Sequence, residues 1–280
     1  MDLELNKIYC MDCLEGCKQL PDNYIDLTVT SPPYDDLRDY EGFDWDFKGL
    51  ANELYRVTKK GGVVVWVVGD KTVNGSETGN SFRQALYFKE IGFNLHDTMI
   101  YQKNSMSMPD TVRYYNIFEY MFVFSKGKPK TINLIADKKN RWGGTENFGT
   151  RTRRKKDGTL EKGGSKKVNE YGIRNNIWRY NTGAGYTTKD NFAYKHPAMF
   201  PEKLAKDHIK SWSDEDDVVL DPFMGSGTTA KMAKILNRNF IGFELSQKYC
   251  DIANKRLGKI DKSYYEELPE EEQPSQKQFF

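Results

Sequence analysis

The residues most suggestive of chemistry are Ser31-Pro32-Pro33-Tyr34, which follow a β-branched run from Ile25 to Thr30. Two adjacent prolines must end a strand there, because neither can donate to a ladder. A corner braced in this way suits an aromatic amine as substrate. The lone pair of an exocyclic ring amine is conjugated with the ring, so the nitrogen is a poor nucleophile. It improves when its N–H groups donate to well-placed acceptors and it turns toward sp³. The Ser31 hydroxyl and the Pro32 carbonyl oxygen are such acceptors, and Pro33 stiffens the turn so that both aim at one point. Tyr34 offers a face on which a planar base stacks. No strong general base is needed, since the proton leaves after the nitrogen has attacked.

A second turn reads as a cofactor site. Gly225-x-Gly227-x-x-Ala230 has the glycine spacing of a dinucleotide-binding turn, and Glu244 follows 19 residues after Gly225. On spacing alone a nicotinamide oxidoreductase is a rival. The flank weighs against it: Asp221-Pro222-Phe223 puts a carboxylate just before the turn, where a pyrophosphate is repelled and an ammonium is welcome. Glu244, at the end of the next expected strand, can accept from ribose hydroxyls. A cationic nucleoside without phosphate fits better than a dinucleotide, and glycines would let the backbone approach it closely.

The elements that must hold these turns alternate. Strands are expected over Lys7–Cys10, Ile25–Thr30, Val63–Val68, Asn94–Gln102, Ile117–Ser125, Val218–Leu220 and Phe240–Phe243. Helices are expected up to Leu20 and over Phe47–Lys59, Ser81–Ile91, Glu202–Trp212, the stretch ending at Leu236, and Gln247–Leu257. Leu50, Leu54 and Val57 recur at helical spacing, and Gly61-Gly62 reads as the turn into the doubly buried strand Val63–Val68. This alternation predicts an α/β, mostly parallel, doubly wound sheet. Both motif turns then fall at carboxyl ends of strands, where such sheets bind ligands.

Net charge is only +2, yet residues 126–189 hold 17 Lys plus Arg against 5 Asp plus Glu, a local +12 that leaves −10 elsewhere. That block, with glycine pairs and scattered aromatics, shows neither helical nor strand period and reads as an insertion suited to a polyanion. The expected organisation is a catalytic half at 1–127, the insertion at 128–194, a cofactor half at 195–260 and an acidic tail at 261–280. Cys10, Cys13 and Cys17 lie close together, but only His96, His196 and His208 exist as further ligands, all distant in sequence. Buried thiols are expected and no metal. The N-terminus carries no basic stretch before an apolar run and no segment is apolar enough to span a bilayer, so a cytoplasmic protein is expected.

These motifs resemble the permuted β class of amino-directed DNA methyltransferases of restriction–modification systems, over most of the chain outside the insertion and tail. The order of catalytic motif, recognition region and cofactor motif is that of the class. The resemblance implies a circularly permuted, Rossmann-like S-adenosylmethionine methyltransferase fold with an antiparallel edge hairpin. It implies S-adenosylmethionine as cofactor, with Asp221, Pro222, Phe223, Gly225, Ser226, Gly227 and Thr228 forming the cofactor loop and Glu244 the ribose acid. His196 and Phe200, in His196-Pro197-Ala198-x-Phe200-Pro201, match the segment closing over the methionine part. Asp12 falls where the family has Gly-Asp near the adenosine, although Met11 replaces the glycine. Double-stranded DNA is the implied partner, with the target base flipped out at roughly a few kcal/mol; a cognate restriction endonuclease is a further candidate, and the chain acts as monomer or homodimer. Within the insertion, Arg151, Arg153, Arg154, Lys155 and Lys156 are candidates for phosphates, and Arg174 and Arg179 for base edges. Cytosine-N4 enzymes of the family usually carry Ser at the first motif position and adenine-N6 enzymes Asp or Asn, so Ser31 favours cytosine.

Overall fold

The structure is a computed structural model and describes residues 3–33, 45–104, 112–146, 151–163, 167–183 and 185–260. In chain order the strands are β1 (Lys7–Cys10), β2 (Ile25–Thr30), β3 (Thr58–Val68), β4 (Thr72–Val73), β5 (Ser76–Glu77), β6 (Asn94–Lys103) and β7 (Phe118–Ser125). They continue with β8 (Lys138–Lys139), β9 (Arg151–Arg154), β10 (Leu160–Gly163), β11 (Tyr171–Gly172), β12 (Ile177–Tyr180), β13 (Val218–Asp221) and β14 (Asn239–Glu244). The helices are α1 (Cys13–Lys18), α2 (Phe47–Val57), α3 (Asn80–Glu90), α4 (Glu202–Trp212), α5 (Thr228–Ile235) and α6 (Gln247–Leu257).

Eight strands form one sheet in the order β1-β14-β13-β2-β3-β7-β6-β12, and within it β7 alone runs against its neighbours. Side chains alternate across the sheet. Val64, Trp66 and Val68 of β3 join a core with Cys13 and Cys17 of α1, Leu50, Leu54 and Val57 of α2, and Ala85 and Phe88 of α3. Val63, Val65 and Val67, equally buried, face the side that α4, α5 and α6 cover. Each fully buried Leu or Val there contributes roughly 1.5–3 kcal/mol over an exposed one. This is the doubly wound architecture that the alternating pattern predicts.

Three details differ from the sequence expectation. Gly61-Gly62 does not precede the strand: β3 starts at Thr58 and absorbs the glycines as a bulge, with Ile25 opposite Thr58 but Leu27 opposite Val63. Gly61 takes φ +86°, and its N–H donates to the Lys126 carbonyl. The antiparallel β6–β7 pair is not at the edge, because β12, from a stretch read as aperiodic, pairs in parallel with β6. Trp178 of β12 is therefore buried against His208, with ring centroids 4.6 Å apart. It is a core residue.

The independent part of the insertion is accordingly narrower than residues 128–194. Leu134–Asn175 forms a separate compact unit, whereas the residues just before and after it belong to the main one. Within that unit β9 and β10 form an antiparallel ribbon, β8 pairs with β11, and Glu146 bridges to Lys167. Cys13 and Cys17 are buried, and burial pushes the Cys13 thiol up to about 12; Cys10 is exposed. Among the described residues no helix is long and apolar enough to cross a membrane. The acidic tail expected at 261–280 lies outside the described residues.

Candidate active site

The parallel strands β1, β14, β13 and β2 are neighbours, so their carboxyl ends line one edge of the sheet. The residues at those ends are Asp12 just after β1, Glu244 at the end of β14, Asp221 at the end of β13 and Ser31 just after β2. From β13 the chain passes through α5 to β14 on one side; from β2 it passes through α2 to β3 on the other. The connections diverge between Asp221 and Ser31. A crevice opens at such a switch point.

A side-chain hydrogen bond links the motif residues on the two sides of this crevice. The Thr30 hydroxyl, one residue before Ser31, donates to Asp221 Oδ1 at 2.6 Å. The Phe223 backbone N–H donates to the same oxygen at 3.0 Å. Asp221 is only 2 % exposed, and burial pushes its carboxyl up to about 6 against the bonds from Thr30, Thr229 and Phe223; the nearby Glu244 carboxylate adds to the rise. Sequence reasoning did not single out Thr30, whose only signal is its position immediately before the proline corner. Ser31 and Pro33 are partly exposed and Pro32 is buried, while Tyr34 lies outside the described residues.

The glycine turn is built from the protein's own contacts. Gly225 has φ +51° and Gly227 φ +84°, a region L side chains avoid. A Cβ at Gly225 would stand 2.9 Å from His196 Nε2, and one at Gly227 2.8 Å from Ala253 Cβ. The space that these glycines leave is thus filled by His196 and α6, not kept open for a ligand, which corrects the reason expected for them. The Gly225 N–H donates to Glu244 Oε2 at 2.8 Å, and the Gly227 N–H to the Met224 carbonyl at 2.8 Å. The Ser226 side chain is buried, and Thr228 opens α5. Phe223 packs edge-on against Trp45, with Pro222 leading into it.

The remaining cofactor candidates meet the same edge. Glu244 Oε1 accepts from the Ser246 N–H at 2.8 Å, and burial raises its carboxyl despite the N–H groups of Ser246 and Gly225. The Met11 N–H donates to the Glu244 carbonyl, which sets Asp12 beside it. Asp12 is exposed and caps α1, its Oδ1 accepting from Leu14 and Glu15. His196 is buried, with its ring edge-on to Tyr249 at 4.4 Å between centroids, and Phe200 is partly buried four residues on.

This donor set fits a cation better than a pyrophosphate. The two turn N–H groups that a phosphate would need already have acceptors, and two carboxylates, Asp221 and Glu244, lie at one crevice. Among the described residues, the buried cations beside the turn are Lys231 and Arg256, and both are engaged with Asp190 and Glu202. These four residues went unnoticed in the sequence. Their signal is spacing: Arg256 follows Ile252 and Ala253 on the buried face of α6.

The basic candidates separate by environment. Arg151, Arg153 and Arg154 lie in β9, and Arg154, Lys155 and Lys156 are exposed. Arg174 is instead bound to Asp137, both only 12 % exposed, so it is not available to base edges as expected. Arg179 is partly buried in β12. Lys126 is structural too, its ammonium donating to the carbonyls of Tyr55 and Thr58.

A mostly parallel sheet with one reversed strand, and paired motif turns at its switch point, define a Rossmann-like methyltransferase fold. The solved PvuII DNA methyltransferase (cytosine-N4-specific) shares it with a TM-score of 0.67 at 20% identity, covering 94% of this chain and 90% of that one. The M1.HpyAVI–SAM complex does so with a TM-score of 0.56 at 22% identity, over 90% of this chain and 98% of that one. In sequence, the chain is 65% identical to the orphan methyltransferase M.BamHII of Bacillus amyloliquefaciens, over 86% of this chain and 91% of that protein. It is 30% identical to the type II methyltransferase M.HinfI of Haemophilus influenzae, over 91% of this chain and 69% of that protein. The family model described as DNA methylase, of the N6/N4 type, matches residues 25–255. The chain belongs to this family of amino-directed DNA methyltransferases.

Proposed function

We propose that this chain methylates the exocyclic N4 of a cytosine flipped out of double-stranded DNA, using S-adenosylmethionine, and that it has the permuted motif order of the β class. The observation that carries the reading is the Thr30–Asp221 hydrogen bond, because it ties the amine corner to the cofactor corner across the crevice. S-adenosylmethionine, when bound, supplies an electrophilic methyl group on a sulfonium centre. Asp221 pairs with its ammonium group, Glu244 accepts from its ribose hydroxyls, and Asp12 lies toward its adenosine. His196 and Phe200 cover its methionine part, and the segments Pro222-Phe223 and Gly225–Thr228 shape the floor.

At the other corner the Ser31 hydroxyl and the Pro32 carbonyl accept the amine's hydrogen bonds, Pro33 keeps them convergent and Tyr34 stacks on the base. A neutral hydroxyl at the first position, rather than a carboxylate, favours cytosine over adenine. The exposed cations Arg154, Lys155 and Lys156, with Arg151 and Arg153 in the same ribbon, hold phosphates, and Arg179 reads from the edge strand. The relative named an orphan methyltransferase supports a chain that works without a dedicated nuclease. The deciding experiment incubates the protein with labelled S-adenosylmethionine and mixed-sequence DNA and digests the product to nucleosides. N4-methylcytosine is expected. N6-methyladenine would overturn the choice of base, and absence of both would overturn the transfer itself.

A further inference from the structure

Arg256 is fully buried, and every nitrogen of its guanidinium donates a hydrogen bond. One amino group reaches the Ser226 carbonyl at 2.9 Å and the hydroxyls of Ser226 and Thr228 at 3.1 Å each. The Nε side donates to Asp190 Oδ2 at 3.0 Å, and the other amino group to Glu202 Oε1 and the Thr188 hydroxyl. Lys231, 4 % exposed, completes the set by donating to Asp190 at 2.6 Å and Glu202 at 2.9 Å. Two cations and the Glu202 carboxylate are thereby buried together beside the glycine turn, with the partly buried Asp190 carboxylate completing the cluster.

Stability alone gives a poor account of this arrangement. Desolvating four charges is costly, and well-packed apolar residues of the same volume are often as stable or more so. What the ions do provide is geometry. Asp190 and Glu202 bracket the segment containing His196 and Phe200, whereas Ser226 and Thr228 belong to the glycine turn. Arg256 bonds to both. Tyr249, seven residues earlier in α6, holds the same segment through the His196 ring, which in turn lies against Gly225.

We propose that Arg256 is a positioning residue for the cofactor site: supported by Lys231, it latches the 190–202 segment onto the Ser226–Thr228 turn, so that both halves are shaped before S-adenosylmethionine arrives. This rests on the cofactor role proposed above. It also explains the need for arginine. A planar fork spans turn and carboxylates at once, whereas a lysine ammonium supplies the same charge at a single point.

The test compares wild type with Arg256→Lys and Arg256→Met. Hydrogen exchange is followed in the ligand-free protein, S-adenosylmethionine affinity by calorimetry, DNA affinity by anisotropy, and stability by thermal melting. Arg256→Lys keeps the charges balanced and should melt close to wild type. Its Gly225 and Gly227 amides should exchange about tenfold faster, because the turn opens locally. Its dissociation constant and KM for S-adenosylmethionine should rise about fivefold or more while kcat at saturation and DNA affinity hold. Arg256→Met should exaggerate both effects; if it does not fold, the lysine variant decides alone. Wild-type exchange and cofactor affinity in Arg256→Lys would overturn the proposal, as would parallel loss of cofactor and DNA binding with a falling melting temperature. Failure of the wild type to bind S-adenosylmethionine would instead overturn the functional reading, and the exchange data would still decide whether Arg256 holds the turn.

Discussion

Replacing Asp221 with Asn should stabilise the protein while disabling it. Asp221 titrates at about 6 instead of 3.8, so the folded chain holds its proton more tightly than the unfolded chain does. The ionised carboxylate therefore opposes folding above pH 6, and the penalty disappears as pH falls toward the unfolded value. The difference of 2.2 (6 − 3.8) corresponds to about 3 kcal/mol at neutral pH. Asparagine is neutral at every pH and keeps an Oδ1 acceptor for the Thr30 hydroxyl and the Phe223 N–H. Asp221→Asn should recover part of that penalty at pH 7.5, at roughly 2–4 °C in melting temperature per kcal/mol, and little or none of it at pH 4. Losing the charged partner proposed for the cofactor's ammonium should weaken S-adenosylmethionine binding by about 1.5–3 kcal/mol, roughly tenfold to a hundredfold, with DNA affinity unchanged. In wild type the cofactor affinity should itself decline as pH falls below 6; in the variant that dependence should vanish. Calorimetry and melting curves at several pH values check all of this. An Asp221→Asn protein that is less stable at neutral pH, or binds cofactor like wild type, would refute the reasoning.

Removing the Thr30 hydroxyl as Thr30→Val deprives the ionised Asp221 of a donor worth about 1.5–3 kcal/mol, so the acid limb of the pH–activity profile should move up by roughly one unit or more. Gly225→Ala forces a left-handed alanine, at roughly 1–2 kcal/mol, and drives its Cβ against His196. Its melting temperature should fall, and adding His196→Ala should restore only the portion due to the clash. Neutralising Arg153, Arg154, Lys155 and Lys156 together should flatten the log–log salt dependence of DNA binding by a slope of about 0.9 for each phosphate left without its cation. An unchanged slope would mean that these residues meet only solvent.

The parts of the molecule legible in the sequence are those governed by local chemistry. Two prolines end β2, glycines with positive φ form the turn before α5, and the all-apolar run Val63–Val68 is a central strand. Each requires knowledge of only a few neighbouring residues. What escapes is set by pairing across distance. Ile177–Tyr180 has too short a pattern to read as a strand until β6 supplies its partner. Gly61-Gly62 looks like a turn because a bulge and a turn ask the same of a glycine; only the register with β2 separates them. Charge is the least legible of all. Arg174, Lys126, Lys231 and Arg256 resemble any surface cation in the sequence, yet each is held by carboxylates or carbonyls contributed by remote parts of the chain. Asp221 is read correctly as a carboxylate at the turn, but its burial, and hence its raised titration, depends on packing that the motif does not encode.

The location of β12 bears on how the Leu134–Asn175 unit is joined to the rest of the chain. Just before the separate unit, the Asn133 N–H bonds to the Ser211 carbonyl at the end of α4; just after it, the Asn176 carbonyl accepts from the Ile100 N–H and β12 joins the sheet. Both splice points are thus fastened to the main body, and neither belongs to the crevice. Leu134–Asn175 is accordingly a cassette. Replacing it with its counterpart from a relative should therefore leave the fold of the main unit, with Thr30, Asp221 and Arg256, intact, which the melting temperature of the chimera checks.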